Sequence, residues 1–146
     1  MPKPVSFEEV LEVRDACLCL HARRAARALA RRFDEAFRPI GITNGQFSLL
    51  ASLNRPGSAP MGAVARLLGM DRTSLTASLK PLERDGLVRV EVDPEDRRGR
   101  RLRITRKGRG VVARALPIWT ATHAEVEAAL SGVSADSLRR GLRALE

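Results

Sequence analysis

The sequence of 146 residues contains no tyrosine, and aromatic residues make up only 3% of it. Single-stranded nucleic acids are usually bound by stacking their bases on aromatic rings, so this scarcity favours duplex DNA as a nucleic-acid partner. The two cysteines, Cys17 and Cys19, are too few and too close together for a disulfide framework. No hydrophobic run approaches the ~20 apolar residues that cross a bilayer. The N-terminal segment also lacks the apolar core of a signal peptide, and we therefore expect a cytoplasmic protein without a membrane partner.

Positive charge is in excess, with 26 Lys and Arg against 17 Asp and Glu and a net charge of +9. The excess is concentrated in residues 89–109, which carry nine basic and four acidic side chains. A basic chain of this size tends to bind polyanions, either nucleic acid or a membrane surface. A charged run is just as typical of a solvated surface, so charge alone does not decide the function.

Apolar residues recur at helical spacing in several segments. The pattern predicts one long helix from Phe7 to Pro39, then helices over residues 44–53, 61–68 and 71–85. Thr43 and Asp71 are the expected N-caps of the second and fourth of these helices. In the short third helix we expect Val64, Leu67 and Leu68 to face inward. The first helix has so broad an apolar face that it must be buried on more than one side, in a core or against a partner.

A basic β-hairpin follows the fourth helix. Val88, Val90 and Val92 alternate with charged residues, and Leu102 and Ile104 do the same on the return strand. A long helix to about residue 130 and a last helix over residues 135–145 complete the chain. The predicted fold class is mainly α with a small β-hairpin wing (α+β), a winged helix-turn-helix. We expect one domain over residues 1–146, with a DNA-binding lobe at 42–109 and dimerisation helices at 1–41 and 110–146.

Two helices joined by a short glycine turn, followed by a hairpin with basic residues at its tip, suit a DNA duplex. The second helix of such a pair fits the major groove, which is about 12 Å wide. The hairpin can place arginines on phosphates or in the minor groove. Leu75, Leu79 and Leu82 mark the buried side of the fourth helix. Its opposite side carries Thr73, Ala77, Lys80 and Arg84, flanked by Ser74 and Thr76. One such unit covers only a half-site, so we expect a C2 homodimer on a near-palindromic operator.

Three segments of the central region carry recognisable motifs. They are RLLGMDRTSLT at residues 66–76, DGLVR at residues 85–89 and DPEDRRGRRLRIT at residues 93–105. Together they resemble the helix turn, the helix exit and the wing of the MarR family, whose wing reads D-P-x-D-x-R before an alternating strand. The outer helices fit too, so the resemblance covers nearly the whole chain. That family comprises dimeric winged-helix regulators, mostly repressors, many of them released from DNA by small aromatic or lipophilic ligands or by oxidants.

The resemblance also implies roles for individual residues. Arg98 matches the wing arginine that enters the minor groove, and Asp71 matches the acid that can pair with it. Asp96 lies in the wing motif and is expected to help orient the wing. The other wing contacts expected with DNA are Arg97, Arg100 and Arg101.

The recognition helix departs from some relatives at one position. Ala77 stands where those relatives place a base-reading arginine. Base readout is therefore expected from Arg72, Thr73, Ser74 and Thr76.

Cys17 and Cys19 admit two interpretations. Free cysteine is commonly buried and structural. Alternatively, a thiolate near Arg14 or Arg24 senses oxidants at a dimer interface, as the resemblance allows. On one continuous helix the two side chains would point about 200° apart and could not readily bridge.

No metal site, cofactor or catalytic arrangement is expected. His21 and His123 lack further ligands of the right type. No nucleophile–base pair or phosphate-binding glycine loop is visible, so an enzyme is not expected. A small-molecule effector is expected between the dimerisation helices and the winged lobe, where Trp119 and Phe37 either line a ligand pocket or pack the core. The alternative function is a nonspecific architectural protein that binds DNA or RNA through its basic hairpin.

Overall fold

The computed structural model describes residues 1–146 as seven α-helices and three short strands. In chain order they are α1 (Phe7–Ala16), α2 (Leu18–Phe37), α3 (Asn44–Ser52), β1 (Ala59–Pro60), α4 (Met61–Leu68), α5 (Arg72–Arg84), β2 (Val88–Val92), β3 (Arg100–Ile104), α6 (Arg106–Ala128) and α7 (Ala135–Arg143). None of the helices combines the length and the apolar character needed to span a bilayer.

Capping side chains fix where the central helices begin. The hydroxyl of Thr43 accepts a hydrogen bond from the Gln46 backbone N–H at 3.2 Å, and the carboxylate of Asp71 accepts one from the Ser74 N–H at 2.7 Å. These bonds satisfy N–H groups that have no partner inside the helix. Beyond the end of α5, Gly86 adopts the left-handed conformation with φ of 73°, which favours glycine. The predicted starts of α3 and α5 are therefore confirmed, as is the end of α5.

The prediction of a single helix from Phe7 to Pro39 is wrong. Cys17 separates α1 from α2 in an extended conformation, with φ of −69° and ψ of 107°. Its N–H ends α1 by donating to the Val13 carbonyl at 3.0 Å, and its sulfur caps α2 by accepting from the Leu20 N–H at 3.4 Å. Since the apolar periodicity continues across this junction without glycine or proline, spacing alone could not reveal it. After α2, a 3₁₀ turn at Arg38–Ile40 leads into the next loop.

The core consists of 21 buried hydrophobic residues contributed by α2 to α6, the sheet and the loops that connect them. Leu50, Leu75, Leu82 and Leu102 are completely buried. Phe37 is also completely buried and stacks at a tilt on another core phenylalanine, so its interpretation as a core residue is confirmed. In contrast, α1 and α7 bury none of their residues in the single chain. Both terminal helices therefore expose apolar side chains.

One predicted core residue of α4 is exposed. Val64 is buried, but Leu67 is 71% exposed. The inward stripe of this helix starts at Met61 and continues through Val64, Ala65 and Leu68, the spacing i, i+3, i+4, i+7. Leu67 lies outside that stripe by helical geometry. The prediction was wrong because it relied on the apolar character of Leu67 and not on its position in the helix.

The three strands form an antiparallel sheet in the order β1–β3–β2. In the predicted hairpin, β2 pairs with β3, and Val90 lies opposite Leu102. The additional strand β1 was not predicted, because two residues carry no periodic signal. It pairs Ala59 with Leu102 and Pro60 with Arg101, and thereby joins the hairpin to the start of α4.

Candidate nucleic-acid interface

The exposed side of α5 forms a shallow depression, which we call the recognition face. It is lined by Arg72, Thr73, Thr76, Ala77 and Lys80. All five residues are exposed, whereas the leucines on the opposite side of the helix are at most 3% exposed. No acidic side chain lines the depression, so an anionic partner meets only neutral and positive groups there.

The hydroxyl groups of α5 differ in their freedom to read a base. The Thr76 hydroxyl donates to the Arg72 carbonyl at 2.8 Å, and the Ser74 hydroxyl donates to the Asp71 carboxylate at 2.7 Å. The Thr73 hydroxyl has no such partner within the chain. Arg72, Thr73 and Lys80 are therefore the side chains on this helix that are free to bind an external group, while Ser74 and Thr76 keep only acceptor capacity.

Asp71 acts locally at the start of α5. One of its oxygens accepts from the Ser74 N–H, and the other from the Ser74 hydroxyl. These bonds stabilise the charged form and lower the pKa of the Asp71 carboxyl below its ordinary value. In the structure of the single chain the Asp71 carboxylate binds Ser74 and forms no ion pair with Arg98.

Residues 93–99, which we call the wing loop, are closed by backbone hydrogen bonds. The Asp93 N–H donates to the Gly99 carbonyl at 3.1 Å, and the Gly99 N–H donates to the Asp96 carbonyl at 2.8 Å. The Asp96 carboxylate accepts from the Arg98 N–H at 3.0 Å. Asp96 thus shapes the loop segment that carries Arg98, through the backbone rather than through an ion pair.

The four predicted wing arginines divide into two groups. Arg97 and Arg98 are exposed, and neither guanidinium has a hydrogen-bond or ion-pair partner within the chain. Arg100 directs one nitrogen to the carbonyls of Arg97 and Gly99, at 3.1 and 3.0 Å. Arg101 binds Ser58 and Asp93 with all three of its guanidinium nitrogens. In the single chain Arg101 is therefore engaged inside the protein, unlike Arg97 and Arg98, and its predicted contact with DNA stays a prediction.

Two cations at the start of α6 bind neighbouring loops of the lobe. Lys107 donates to the Asp85 carbonyl at 2.8 Å. Arg109 donates to the Asn54 side chain at 3.0 Å and to the Arg55 carbonyl at 2.7 Å. Sequence reasoning could not find these contacts, because their partners lie 22 to 55 positions away in the chain.

The two thiols occupy different environments. Cys17 is half-buried at the junction of α1 and α2, and Cys19 is exposed on the first turn of α2. Because Cys17 lies outside the helix that carries Cys19, the predicted angle of about 200° between their side chains does not apply. The nearby Arg14 guanidinium binds Asp15 at 2.7 Å, and this pair lowers the pKa of the Asp15 carboxyl.

An aromatic stack links α3 to α6. The Trp119 ring lies 6.5 Å from the Phe47 ring and 4.7 Å from the His123 ring, between centroids. Trp119 is half-buried and packs against the core. This stack lies between a helix of the lobe and the long C-terminal helix, in the region where an effector was expected.

Comparison with known proteins agrees with this geometry. Residues 42–99 match the sequence profile of the MarR family. The transcriptional regulator MosR of M. tuberculosis, solved in complex with DNA, is 40% identical, with a TM-score of 0.80 over 88% of this chain and 92% of MosR. A mutant of MarR from E. coli, complexed with operator DNA, is 22% identical but shares the fold, with a TM-score of 0.79 over 92% of this chain and 97% of that one.

The transcriptional activatory protein BadR of Rhodopseudomonas palustris is 36% identical over 91 residues, which are 60% of this chain. The aligned segment spans 52% of BadR, about half the length of that curated relative. The match to MosR, in contrast, extends over nearly all of both chains. By its central motifs, its fold and this near-complete match, the chain belongs to the MarR family of transcriptional regulators.

Proposed function

We propose that this protein is a transcription regulator without enzymatic activity, which binds a specific duplex DNA sequence as a homodimer. The observation that carries the proposal is the recognition face of α5, a solvent-exposed surface free of acidic side chains and opposite three buried leucines. A helix of this kind fits the major groove. Arg97 and Arg98 on the wing loop supply two unpaired positive charges for the adjacent minor groove or phosphates.

Each part of the interface has a distinct task in this proposal. Arg72 and Thr73 contact base edges, because their polar groups are exposed and uncommitted. Ala77 offers a small apolar surface that suits a thymine methyl group. Lys80 neutralises a phosphate, which adds affinity without sequence preference.

We assign residues 42–109 to the DNA-binding lobe, and residues 1–41 and 110–146 to dimerisation. The terminal helices leave large apolar side chains in solvent, among them Phe7, Val10, Val13, Leu138 and Leu142. Exposed apolar surface of this extent is typical of an interface. A C2 dimer places the two recognition helices about 34 Å apart, one turn of DNA, and so requires a near-palindromic operator.

We further propose that the regulator is a repressor, released from DNA by a small molecule or by an oxidant. The proposal rests on the resemblance to the family and on two local features. Trp119 and His123 present two stacked, half-buried rings on α6, beside Phe47 of α3, and a small aromatic ligand would pack against this cluster. Cys19 is exposed to solvent oxidants, and Cys17 caps α2, so oxidation at either position acts at the junction of the dimerisation helices.

Selection of duplexes from random DNA tests the proposal. The purified protein should enrich one near-palindromic sequence and bind it at least a thousandfold more tightly than a scrambled duplex at the same salt concentration, a ratio of ~10³ or more being typical of specific regulators. Equal affinity for the selected duplex, the scrambled duplex and RNA would instead support the nonspecific architectural alternative.

A further inference from the structure

The side chain of Arg101 bridges two parts of the lobe that are far apart in sequence. Its Nε donates to the Ser58 hydroxyl at 2.7 Å, and one terminal nitrogen donates to the Ser58 carbonyl at 3.1 Å. Its other terminal nitrogen lies 3.6 Å from the Asp93 carboxylate. Ser58 precedes β1 and α4, whereas Asp93 begins the wing loop. A single guanidinium thus contacts both the entrance of the helix-turn-helix and the base of the wing.

The backbone provides few bonds for this connection. Strand β1 has only two residues, and Pro60, which lies opposite Arg101 in the register, has no N–H to donate. The pairing of β1 with β3 is therefore short, and the side-chain bonds of Arg101 add to it at the same position. The planar guanidinium of Arg101 binds both the hydroxyl and the carbonyl of Ser58. Its N–H groups form a rigid fork, which suits two neighbouring acceptors.

The bridge continues into the wing loop through Asp93. The second carboxylate oxygen of Asp93 accepts from the Glu95 N–H at 2.9 Å. The side chains of Arg101 and Asp93 are only 29% and 20% exposed, so solvent screens their attraction less than in an open surface pair. Hydrogen bonds with a charged partner are also the stronger ones. The path Ser58–Arg101–Asp93–Glu95 therefore connects the start of α4 to the first turn of the wing loop.

We propose that Arg101 is a positioning residue: it fixes the wing loop relative to the helix-turn-helix, so that Arg97 and Arg98 meet DNA when α5 is in the groove. The inference rests on the proposed function, in which the wing contacts DNA. It differs from the expectation that Arg101 itself touches DNA, because its nitrogens bind Ser58 and Asp93. Without the bridge, the wing loop must be ordered at the moment of binding, and that ordering reduces affinity.

Three variants distinguish a positioning role of Arg101 from an effect of its positive charge. Ser58→Ala removes one acceptor of the bridge without changing any charge. Arg101→Lys keeps the charge but loses the planar fork that spans Ser58 and Asp93. Arg103→Ala is the matched control, since it removes one positive charge from the same strand but breaks only the pair with Glu91 inside the hairpin, at 3.1 Å.

Hydrogen exchange of the wing-loop amides in the DNA-free protein provides the first readout. Exchange at residues 93–99 should become faster in Ser58→Ala and Arg101→Lys and should stay at the wild-type rate in Arg103→Ala. This measurement needs no operator, so it tests the bridge even if selection from random DNA yields no specific duplex and the proposed function fails.

Affinity for a duplex selected with the wild-type protein provides the second readout. Arg101→Lys should bind about tenfold more weakly, the effect of losing one charge-assisted hydrogen bond. Ser58→Ala should bind several-fold more weakly. Both effects should disappear when Arg97 and Arg98 are replaced by alanine, because positioning matters only while the wing arginines are present. A loss of affinity that persists in that background, or unchanged exchange and affinity in both bridge variants, would overturn the inference while leaving specific DNA binding intact.

Discussion

Replacing Gly108 by alanine should destabilise the fold, even though alanine is the better helix former. Gly108 is buried in the first turn of α6, where an added Cβ would lie 2.3 Å from the Leu87 carbonyl oxygen and 2.7 Å from the Ile104 side chain. The carbonyl cannot easily move away, since it accepts a hydrogen bond from the Thr105 N–H at 3.0 Å. Helix α6 must therefore move away from the β2–β3 hairpin to make room for the added methyl group.

The magnitude follows from two opposing terms. Alanine in place of glycine stabilises a helix by up to about 1 kcal/mol, the value for a helix interior. Overpacking a tight site costs roughly 1–3 kcal/mol, and the upper part of that range applies because the contact is with backbone. We expect a net loss of about 2 kcal/mol in the free energy of unfolding for Gly108→Ala, the difference of those two terms.

Gly110 provides a matched control on the same helix. It is exposed, and an added Cβ there meets nothing within 4 Å. Gly110→Ala should therefore raise the free energy of unfolding, by up to about 1 kcal/mol. Urea unfolding of the wild type and both variants shows whether each substitution raises or lowers the free energy of unfolding. All three proteins are compared at one fixed protein concentration, because the stability of a dimer depends on concentration. A Gly108→Ala protein as stable as Gly110→Ala would refute the packing argument.

Three further predictions concern the start of α5, the wing and the two cysteines. Asp71→Asn keeps a capping side chain but removes its charge. Because the folded-state pKa of Asp71 is lowered, its charge stabilises the fold above the unfolded pKa, and this contribution is lost as the pH falls through the folded pKa. The wild type should exceed Asp71→Asn in stability at pH 7, and the gap should close below about pH 4; a gap that is constant with pH would contradict this. Arg98→Ala should weaken operator binding by ~1–3 kcal/mol and reduce its salt dependence by about one phosphate contact, and an unchanged slope and affinity would remove Arg98 from the interface. If the thiols sense oxidants, peroxide should release the wild type from DNA but not Cys17→Ser/Cys19→Ser, whereas release of both proteins would leave the cysteines a structural role.

Local signals were sufficient to predict most of the central lobe. Thr43 and Asp71 cap helices through bonds to residues three positions on, and Gly86 ends α5 through its own conformation. Such features depend on neighbours in the sequence, so they can be read from it. The buried leucines of α5 follow from helical periodicity in the same way.

Features that depend on distant residues could not be predicted. The role of Arg101 requires Ser58, which is 43 positions away. Strand β1 exists only because the hairpin folds back onto residues 59–60. The break at Cys17 carries no glycine or proline. The expected pair of Asp71 with Arg98 is not formed in the single chain, where the carboxylate binds Ser74. Sequence therefore identified the residues near the interface better than it identified their partners.

In the proposed complex, two copies of α5 lie in successive major grooves of one DNA site. Methylation of guanine N7, an atom of the major groove, interferes with binding wherever a protein contacts that edge. On a duplex selected by this protein, we predict interference at two symmetric clusters about 10 base pairs apart, the spacing of one helical turn. Binding that tolerates methylation throughout the site, or a single unpaired cluster, would contradict the account.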